Sequence, residues 1–157
     1  MTGLNRRLFL KGAFASSVVA IAAGAGLLRP TRVLAAEWPK DAFAAKSVAD
    51  VLKSLHGSGQ AAASGDVKIK APIQAENGAV VPISVSTSLP NVQAISIMVE
   101  KNATPLVAST ELTGAGGFFS ARMKMAESSD VQVVVKADGK LYSAKQMVKV
   151  TVGGCGG

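Results

Sequence analysis

Two reactive residue types are almost missing from this sequence: its 157 residues include one cysteine, Cys155, and one histidine, His56. A chain with one cysteine cannot form an internal disulfide. A chain with one histidine offers no Ser-His-Asp triad, and one cysteine with one distant histidine is not a zinc site. The sequence therefore predicts no metal centre, no bound cofactor and no free-standing enzyme.

Three other features that could carry chemistry have simpler structural interpretations. The stretch Gly114–Gly117 lacks the Lys-Ser/Thr of a phosphate-binding loop and does not lead from a strand into a helix, so it predicts a surface turn. His56 falls in the last turn of a predicted helix, where an imidazole interacts favourably with the carbonyl end, which favours a structural or exposed role. Met123 and Met125 share a predicted strand face with Phe119, which indicates core packing.

Positive charge is concentrated at the start of the chain. Five of the 17 Lys and Arg residues precede Glu37, whereas none of the 10 Asp and Glu residues does. The remainder holds 12 basic against 10 acidic residues, scattered rather than clustered. A chain with so small an excess of positive charge is not expected to bind nucleic acid.

Residues 1–36 have the pattern of a bacterial export signal. Arg6 and Arg7 precede the letters LFLK, which is the twin-arginine pattern, and an uncharged Ala- and Gly-rich run of 16 residues follows at 13–28. As a helix this run would span about 24 Å, less than the ~30 Å hydrocarbon core, which favours a removable signal over a membrane anchor. We expect cleavage near Ala36 and a periplasmic protein, exported by the twin-arginine route, without a stable membrane anchor.

Residues 37–65 are predicted to form a short helix followed by a linker. Asp41 is the expected N-cap, and Gly57 is the expected left-handed stop. The letters HGSGQAAASGD that follow the helix have no periodicity. An apolar stripe at the helical period supports the helix: Ala44, Val48, Val51, Leu52 and Leu55.

From residue 66 to 152 the hydrophobic period changes to two, which is typical of strands with one buried and one solvated face. In one such segment Ser96 and Met98 alternate with apolar residues and are expected on the solvated face. Turn signals separate the segments, and Asp138-Gly139 most strongly predicts a hairpin. About seven predicted strands indicate an all-β, immunoglobulin-like antiparallel β-sandwich, although the cysteine pair and core tryptophan of antibody domains are absent. The strands are expected near 67–71, 81–88, 95–99, 106–112, 119–125, 131–137 and 141–152.

The letters GGCGG follow the last predicted strand directly. Glycine lacks a Cβ, so Gly153, Gly154, Gly156 and Gly157 would give Cys155 a thin and freely rotating stalk. At ~3.3–3.6 Å per extended residue, Cys155 would reach about 10 Å beyond the sandwich, enough to enter a narrow channel in another protein. This geometry is that of a carrier arm, which presents an attached group to several enzymes in turn.

The sulfur of Cys155 suits this use, although a structural use is also open. An ordinary thiol is roughly a few per cent thiolate at neutral pH and is already a good nucleophile. Because no cation adjoins Cys155 in the sequence, further activation would come from a partner's site. The alternative is an intermolecular disulfide at Cys155 that tethers two exported domains. A terminal Gly-Gly also occurs in ubiquitin-like sulfur carriers, but those are cytoplasmic and have a β-grasp fold.

The terminal GGCGG, the preceding VKADGKLYSAKQMVKVTV, the central ENGAVVPI with VEKN, and the twin-arginine leader together resemble the SoxY family over residues 43–157. The resemblance implies an immunoglobulin-like sandwich that pairs with a second β-sandwich subunit, SoxZ, in the periplasmic Sox thiosulfate-oxidising system. It implies that Cys155 is the covalent attachment point for the substrate and that the four glycines form the arm. A haem enzyme, SoxAX, would couple thiosulfate to the thiol, and a hydrolase, SoxB, would release sulfate and leave a persulfide. A sulfane dehydrogenase, SoxCD, would oxidise the remaining sulfur in organisms that have it, so the chain itself would be a carrier and not a catalyst.

Overall fold

The structure is a computed structural model and describes residues 38–151. These residues belong to one compact unit. The predicted leader with Arg6 and Arg7, and the predicted arm at 153–157, lie outside the described residues.

Two short helices, α1 (Lys40–Ala44) and α2 (Val48–His56), stand where one helix was expected. The backbone is extended at Ala45, with φ −58° and ψ 148°, which ends α1. Ser47 then begins α2, because its side-chain oxygen accepts a hydrogen bond from the Asp50 N–H at 3.1 Å. A serine that satisfies an otherwise unpaired N–H of the first turn is a favoured helix start, and it divides the apolar stripe between two helices.

The predicted helix start was wrong and the predicted helix end is confirmed. Asp41 is not the N-cap but lies in the first turn of α1, after Pro39, which makes no side-chain cap. Gly57 ends α2 with φ 72°, and its N–H donates to the Lys53 carbonyl at 2.9 Å. No helix within residues 38–151 has the length and apolarity needed to cross a membrane.

The described residues contain nine strands, which form two sheets. In chain order they are β1 (Ala62–Ala63), β2 (Val67–Lys70), β3 (Gln74–Ala75), β4 (Val81–Thr87), β5 (Val92–Val99), β6 (Leu106–Glu111), β7 (Phe118–Met123), β8 (Ser129–Ala137) and β9 (Lys140–Val150). The larger sheet has the order β1-β9-β8-β5-β6, and β3 also pairs with β9. The smaller sheet has the order β2-β4-β7. Neighbouring strands are antiparallel, except that β1 and β3 run parallel to β9.

The predicted all-β sandwich, preceded by a short helical segment, is confirmed. All seven predicted strands are present, with ends that differ by a few residues. The two additional strands, β1 and β3, each have two residues. A two-residue strand has no hydrophobic period, so the pattern that identified the others could not identify these.

The hairpin between β8 and β9 is built as the Asp138-Gly139 pair predicted. Both residues have positive φ, 48° at Asp138 and 73° at Gly139. Positive φ at both central positions gives the tight turn the right-handed twist of its flanking strands. The Asn91 side-chain amide donates to an Asp138 carboxylate oxygen at 2.9 Å, which connects this turn to the start of β5.

The main core lies between the two sheets. The larger sheet contributes apolar residues at every second position, and the smaller sheet contributes Val81, Ile83 and Val85 from β4 and Met123 from β7. Each fully buried aliphatic side chain of this kind stabilises the fold by about 1.5–3 kcal/mol before conformational entropy is counted. The buried residues of the larger sheet that face this core are Ala75, Val92, Ile95, Ile97, Val99, Val131, Val133, Val135, Ala137 and Val148.

A second core lies on the other face of the larger sheet. The helices place Ala42, Val51 and Leu52 against Met98 and Val134, and all five residues are buried. Met98 therefore does not face solvent, and the expected solvated face of β5 was wrong. The reason lies in the tertiary structure. The two helices, which precede the sandwich in sequence, cover this face, and only some of its positions are polar.

Candidate functional site

The residues predicted to carry chemistry, Cys155 with its flanking glycines, lie outside the described residues, so the structure shows the base from which they extend. That base is the end of β9. The last described residue is Thr151, four positions before Cys155. At ~3.3–3.6 Å per residue these four positions span at most about 14 Å.

One side of the end of β9 is fixed by β3. The Thr151 N–H donates to the Ala75 carbonyl at 3.0 Å, and the Thr151 hydroxyl donates to the same oxygen at 3.2 Å. One residue pair earlier, the Lys149 N–H donates to the Ile73 carbonyl at 2.9 Å. Hydrogen bonds to the β3 segment therefore fix this side of β9 as far as Thr151.

Ser128 fixes the opposite side, and Gly78 lies close to the same strand end. The Ser128 hydroxyl accepts from the Val150 N–H at 2.9 Å. A Cβ added to Gly78 would collide with the Met125 carbonyl oxygen and lie 2.9 Å from a Val150 methyl group. Glycine is thus required at position 78 because the backbone after β7 and the end of β9 both pass too close for a side chain.

An open groove of about 390 Å³ lies between the start of β6 and the segment after β7. Asn102 builds it, because its side-chain amide donates to the Lys124 carbonyl at 2.7 Å and its side-chain oxygen accepts from the Ala126 N–H at 3.0 Å. Among the described residues the lining is mostly apolar, Lys124 is its one charged residue, and no histidine or carboxylate contributes to it. The groove could hold an apolar group but offers no acid–base pair for catalysis. Its other lining residues are Ala103, Thr104, Leu106 and Val107.

His56 lies at the end of α2, half-buried against the larger sheet. Its Nε2 is 3.5 Å from the Ser96 hydroxyl, which in turn is 3.0 Å from the Ser109 hydroxyl. Burial lowers the pKa of His56 below its ordinary value, and the positive charge of Lys136 lowers the pKa further. The structure thus places His56 between helix and sheet, within a hydroxyl network and not in a cleft.

Among residues 38–151, no group of three or more His, Asp or Glu side chains lies close enough together to hold a metal ion. Sequence reasoning missed the residues that fix the end of β9, namely Ser128, Ala75 and Gly78. Asn77-Gly78 was predicted as a turn, but nothing in the sequence indicates that its glycine meets β9. The close approach exists only after segments far apart in the chain have packed together.

The described residues therefore form a small two-sheet module that presents one firmly held strand end, and none of them contributes a histidine or carboxylate to its groove. The family described as "Sulfur oxidation protein SoxY" matches residues 52–155, which include the position of Cys155. The chain belongs to the SoxY family.

A solved structure supports this assignment. The chain is similar to the sulfur carrier protein SoxY from Chlorobium limicola f thiosulfatophilum, with 42% identity and a TM-score of 0.62. The similarity covers 72% of this chain and 99% of that protein. A search of curated proteins found no match.

Other solved structures are less similar. A superoxide reductase (neelaredoxin) from Ignicoccus hospitalis has 15% identity and a TM-score of 0.48, over 54% of this chain and 80% of that one. The human F-spondin reeler domain has 8% identity and a TM-score of 0.40, over 57% of this chain and 93% of that one. At these values the likenesses bear on neither the function nor the site.

Proposed function

We propose that this chain is a covalent carrier of sulfur intermediates in thiosulfate oxidation, with Cys155 as the attachment point. The observation that carries the proposal is the fixed end of β9: Thr151 is hydrogen-bonded to Ala75, and the only cysteine of the chain follows four residues later. Membership of a sulfur oxidation family and 42% identity to a protein described as a sulfur carrier support it. The body holds one end of the arm, and Gly153, Gly154, Gly156 and Gly157 surround the thiol.

The proposed chemistry needs enzymes that the chain itself does not provide. In the first step the Cys155 thiol and thiosulfate form a sulfur–sulfur bond, and one proton and two electrons leave, the electrons passing to a haem enzyme. In the second step water attacks the terminal sulfone, sulfate and a proton leave, and a persulfide remains on Cys155. Both adducts belong to ordinary cysteine chemistry. The chain is thus a substrate for these enzymes and not itself an enzyme.

The proposal extends to partners and place. A SoxZ-like β-sandwich subunit forms a heterodimer with this chain, and the SoxAX haem enzyme and the SoxB hydrolase act on the arm, with SoxCD where that branch exists. The twin-arginine letters at Arg6 and Arg7 support export to the periplasm. A fluorescent fusion to residues 1–36, compared with the same fusion carrying Arg6→Lys and Arg7→Lys, tests the route. The unaltered leader should direct periplasmic fluorescence, and equal export of both fusions would contradict the route.

Intact-mass spectrometry tests the carrier role. Protein isolated without reductant from thiosulfate-oxidising cells should carry additions of one or more sulfur atoms, or of a thiosulfate remnant, on the peptide that contains Cys155. The Cys155→Ser variant is the control and should carry none. A uniform dimer that reductant separates, without any adduct, would instead support the structural alternative of a disulfide tether at Cys155.

A further inference from the structure

The solvent face of the smaller sheet carries more positive than negative charge: beside its cations lies one carboxylate, Asp66, which precedes β2 and lines a shallow hollow with Lys68 and Ser86. Its outward positions alternate with buried Val and Met residues along β2, β4 and β7. Lys68, Lys70 and Arg122 are exposed on this surface, which is called the basic face below. The two ion pairs of residues 38–151, Lys101–Glu127 and Lys145–Glu100, do not involve these three cations.

Within residues 38–151 no helix covers the basic face, whereas two helices cover the corresponding face of the other sheet. On the larger sheet, Met98 and Val134 are buried beneath the two helices. On the smaller sheet, all three cations are exposed. The outer faces of the two sheets therefore differ, and the face of the smaller sheet carries three cations and one carboxylate.

The centre of the basic face carries short side chains. Ser84 pairs with Ser120 across the strands, and their hydroxyl oxygens are 3.1 Å apart. Beside them Phe118 is 62% exposed, an unusual position for a large aromatic side chain on a strand. Short central residues let a second protein approach the sheet closely, and exposed aromatic side chains are enriched at interfaces.

The size of the basic face favours a transient contact. Three strands about 5 Å apart, with five or so residues at ~3.4 Å each, give an area of roughly 250 Å². A stable interface buries about 800 Å² on each partner, so this face alone is too small for a permanent subunit contact. Brief encounters guided by charge fit its size, because complementary charge mainly raises association rates.

We propose that the basic face is a docking surface for an acidic surface of the enzyme that loads Cys155. The inference rests on the proposed carrier function, since a carrier must meet its enzymes repeatedly and release them. Lys68, Lys70 and Arg122 provide the attraction, the serines allow close approach, and Phe118 supplies the apolar contact.

Charge reversal tests the proposal. The variant Lys68→Glu/Lys70→Glu/Arg122→Glu is compared with Lys40→Glu/Lys46→Glu/Lys140→Glu, which makes the same change of charge at exposed positions off the basic face. Each set is placed in the mature protein together with its SoxZ-like subunit, in both Cys155 and Cys155→Ser backgrounds, and circular dichroism confirms folding. The probe is the purified thiosulfate-coupling haem enzyme.

Two readouts are measured at low and at physiological salt. The first is the association rate of the haem enzyme with the Cys155→Ser background, in which no adduct can form. The second is the second-order rate of adduct formation on Cys155. Reversal on the basic face should lower both rates at least tenfold at low salt, and less at high salt, whereas the control set should change them less than twofold.

The possible outcomes separate the competing explanations. Cations on the edge strands β2 and β7 also protect a sheet from aggregation, and glutamates at the same positions would protect it equally well. If charge reversal leaves both rates unchanged, protection from aggregation explains the cations and the docking proposal is overturned. Binding to phosphatidylglycerol vesicles that needs the three cations, with unchanged enzyme association, would also overturn it in favour of a membrane surface. If no adduct forms on Cys155 but association still depends on the basic face, the docking surface stands and the carrier function fails.

Discussion

The side chain of Ser128 holds the backbone of Val150 at two points. Its hydroxyl oxygen accepts from the Val150 N–H at 2.9 Å, and its O–H donates to the Val150 carbonyl at 3.4 Å. On the other edge of the strand, Thr151 is bonded twice to the Ala75 carbonyl. The last residues before the predicted arm, Val150 and Thr151, are therefore hydrogen-bonded on both sides of the strand. The arm thus starts from a fixed position.

We expect Ser128→Ala to make the end of β9 less firmly held. Loss of the hydroxyl leaves the Val150 N–H without its partner, which costs about 1–2 kcal/mol of unfolding free energy. Amide hydrogen exchange should accelerate at Val150 more than at Val133 in the middle of the core. Ser86→Ala, on the solvent face of β4, is the control and should change neither stability nor exchange; equal effects of the two substitutions would contradict the role of Ser128.

Gly78→Ala should destabilise the protein by about 1–3 kcal/mol, because the added methyl group meets the Met125 carbonyl oxygen and a Val150 methyl group. Gly65→Ala and Gly116→Ala provide matched controls, since a Cβ at either position has no heavy atom within 4 Å. Urea denaturation of the three variants gives the comparison. Similar midpoints for all three would show that the backbone near position 78 adapts without cost.

Stability should fall as the pH drops below about 6.5, and His56 is the cause. Burial and the charge of Lys136 lower the pKa of His56 in the folded state, so the unfolded chain binds a proton at higher pH than the folded chain does. The stabilisation is present above the unfolded pKa near 6.5 and is lost as the pH falls toward the folded value. Urea midpoints at pH 7.5 and 5.5 should differ in the parent.

Two variants check this assignment. His56→Gln should flatten the pH dependence between pH 7.5 and 5.5, because no other histidine exists and carboxylates titrate lower. Lys136→Gln should raise the pKa of His56 toward its unfolded value, measured by NMR titration of its ring protons, and so make the loss of stability between pH 7.5 and 5.5 smaller. An unshifted titration in Lys136→Gln would contradict the charge contribution.

The arm glycines are predicted to matter for access and not for stability. Gly154→Val and Gly156→Val together should leave the thermal unfolding temperature unchanged within about 1 °C, because neither residue belongs to the predicted sandwich. Adduct formation on Cys155 by the haem enzyme should slow at least tenfold, since branched side chains widen the segment that enters the enzyme channel. Undiminished loading would show that the channel is wide and the glycines are not needed.

Much of the fold followed from local pattern. The period of two located seven strands, Asp138-Gly139 located the hairpin, and Gly57 located the end of α2. Each of these signals acts within a few residues, through pleat geometry or through a backbone angle that glycine and aspartate adopt easily. Ser47 shows the limit of such signals, because a second cap inside one apolar stripe divided the predicted helix.

Contacts between distant segments were not predictable in the same way. Met98 was expected in solvent and is fully buried, because Val51 and Leu52 arrive from a helix more than forty residues earlier. The hydrogen bonds between Ser128 and Val150, and the close approach of Gly78 to Val150, likewise join segments that no sequence periodicity relates.

By itself the sequence determined the sandwich class, the isolated thiol at Cys155 and the resemblance to the SoxY family, because these depend on residue type and on spacing along the chain. Only the tertiary structure decided which sheet face the helices cover, which outer face presents exposed cations, and where hydrogen bonds fix the end of β9. Those features arise when distant segments pack, and the free energy of packing is a property of the folded surface rather than of any short stretch of sequence.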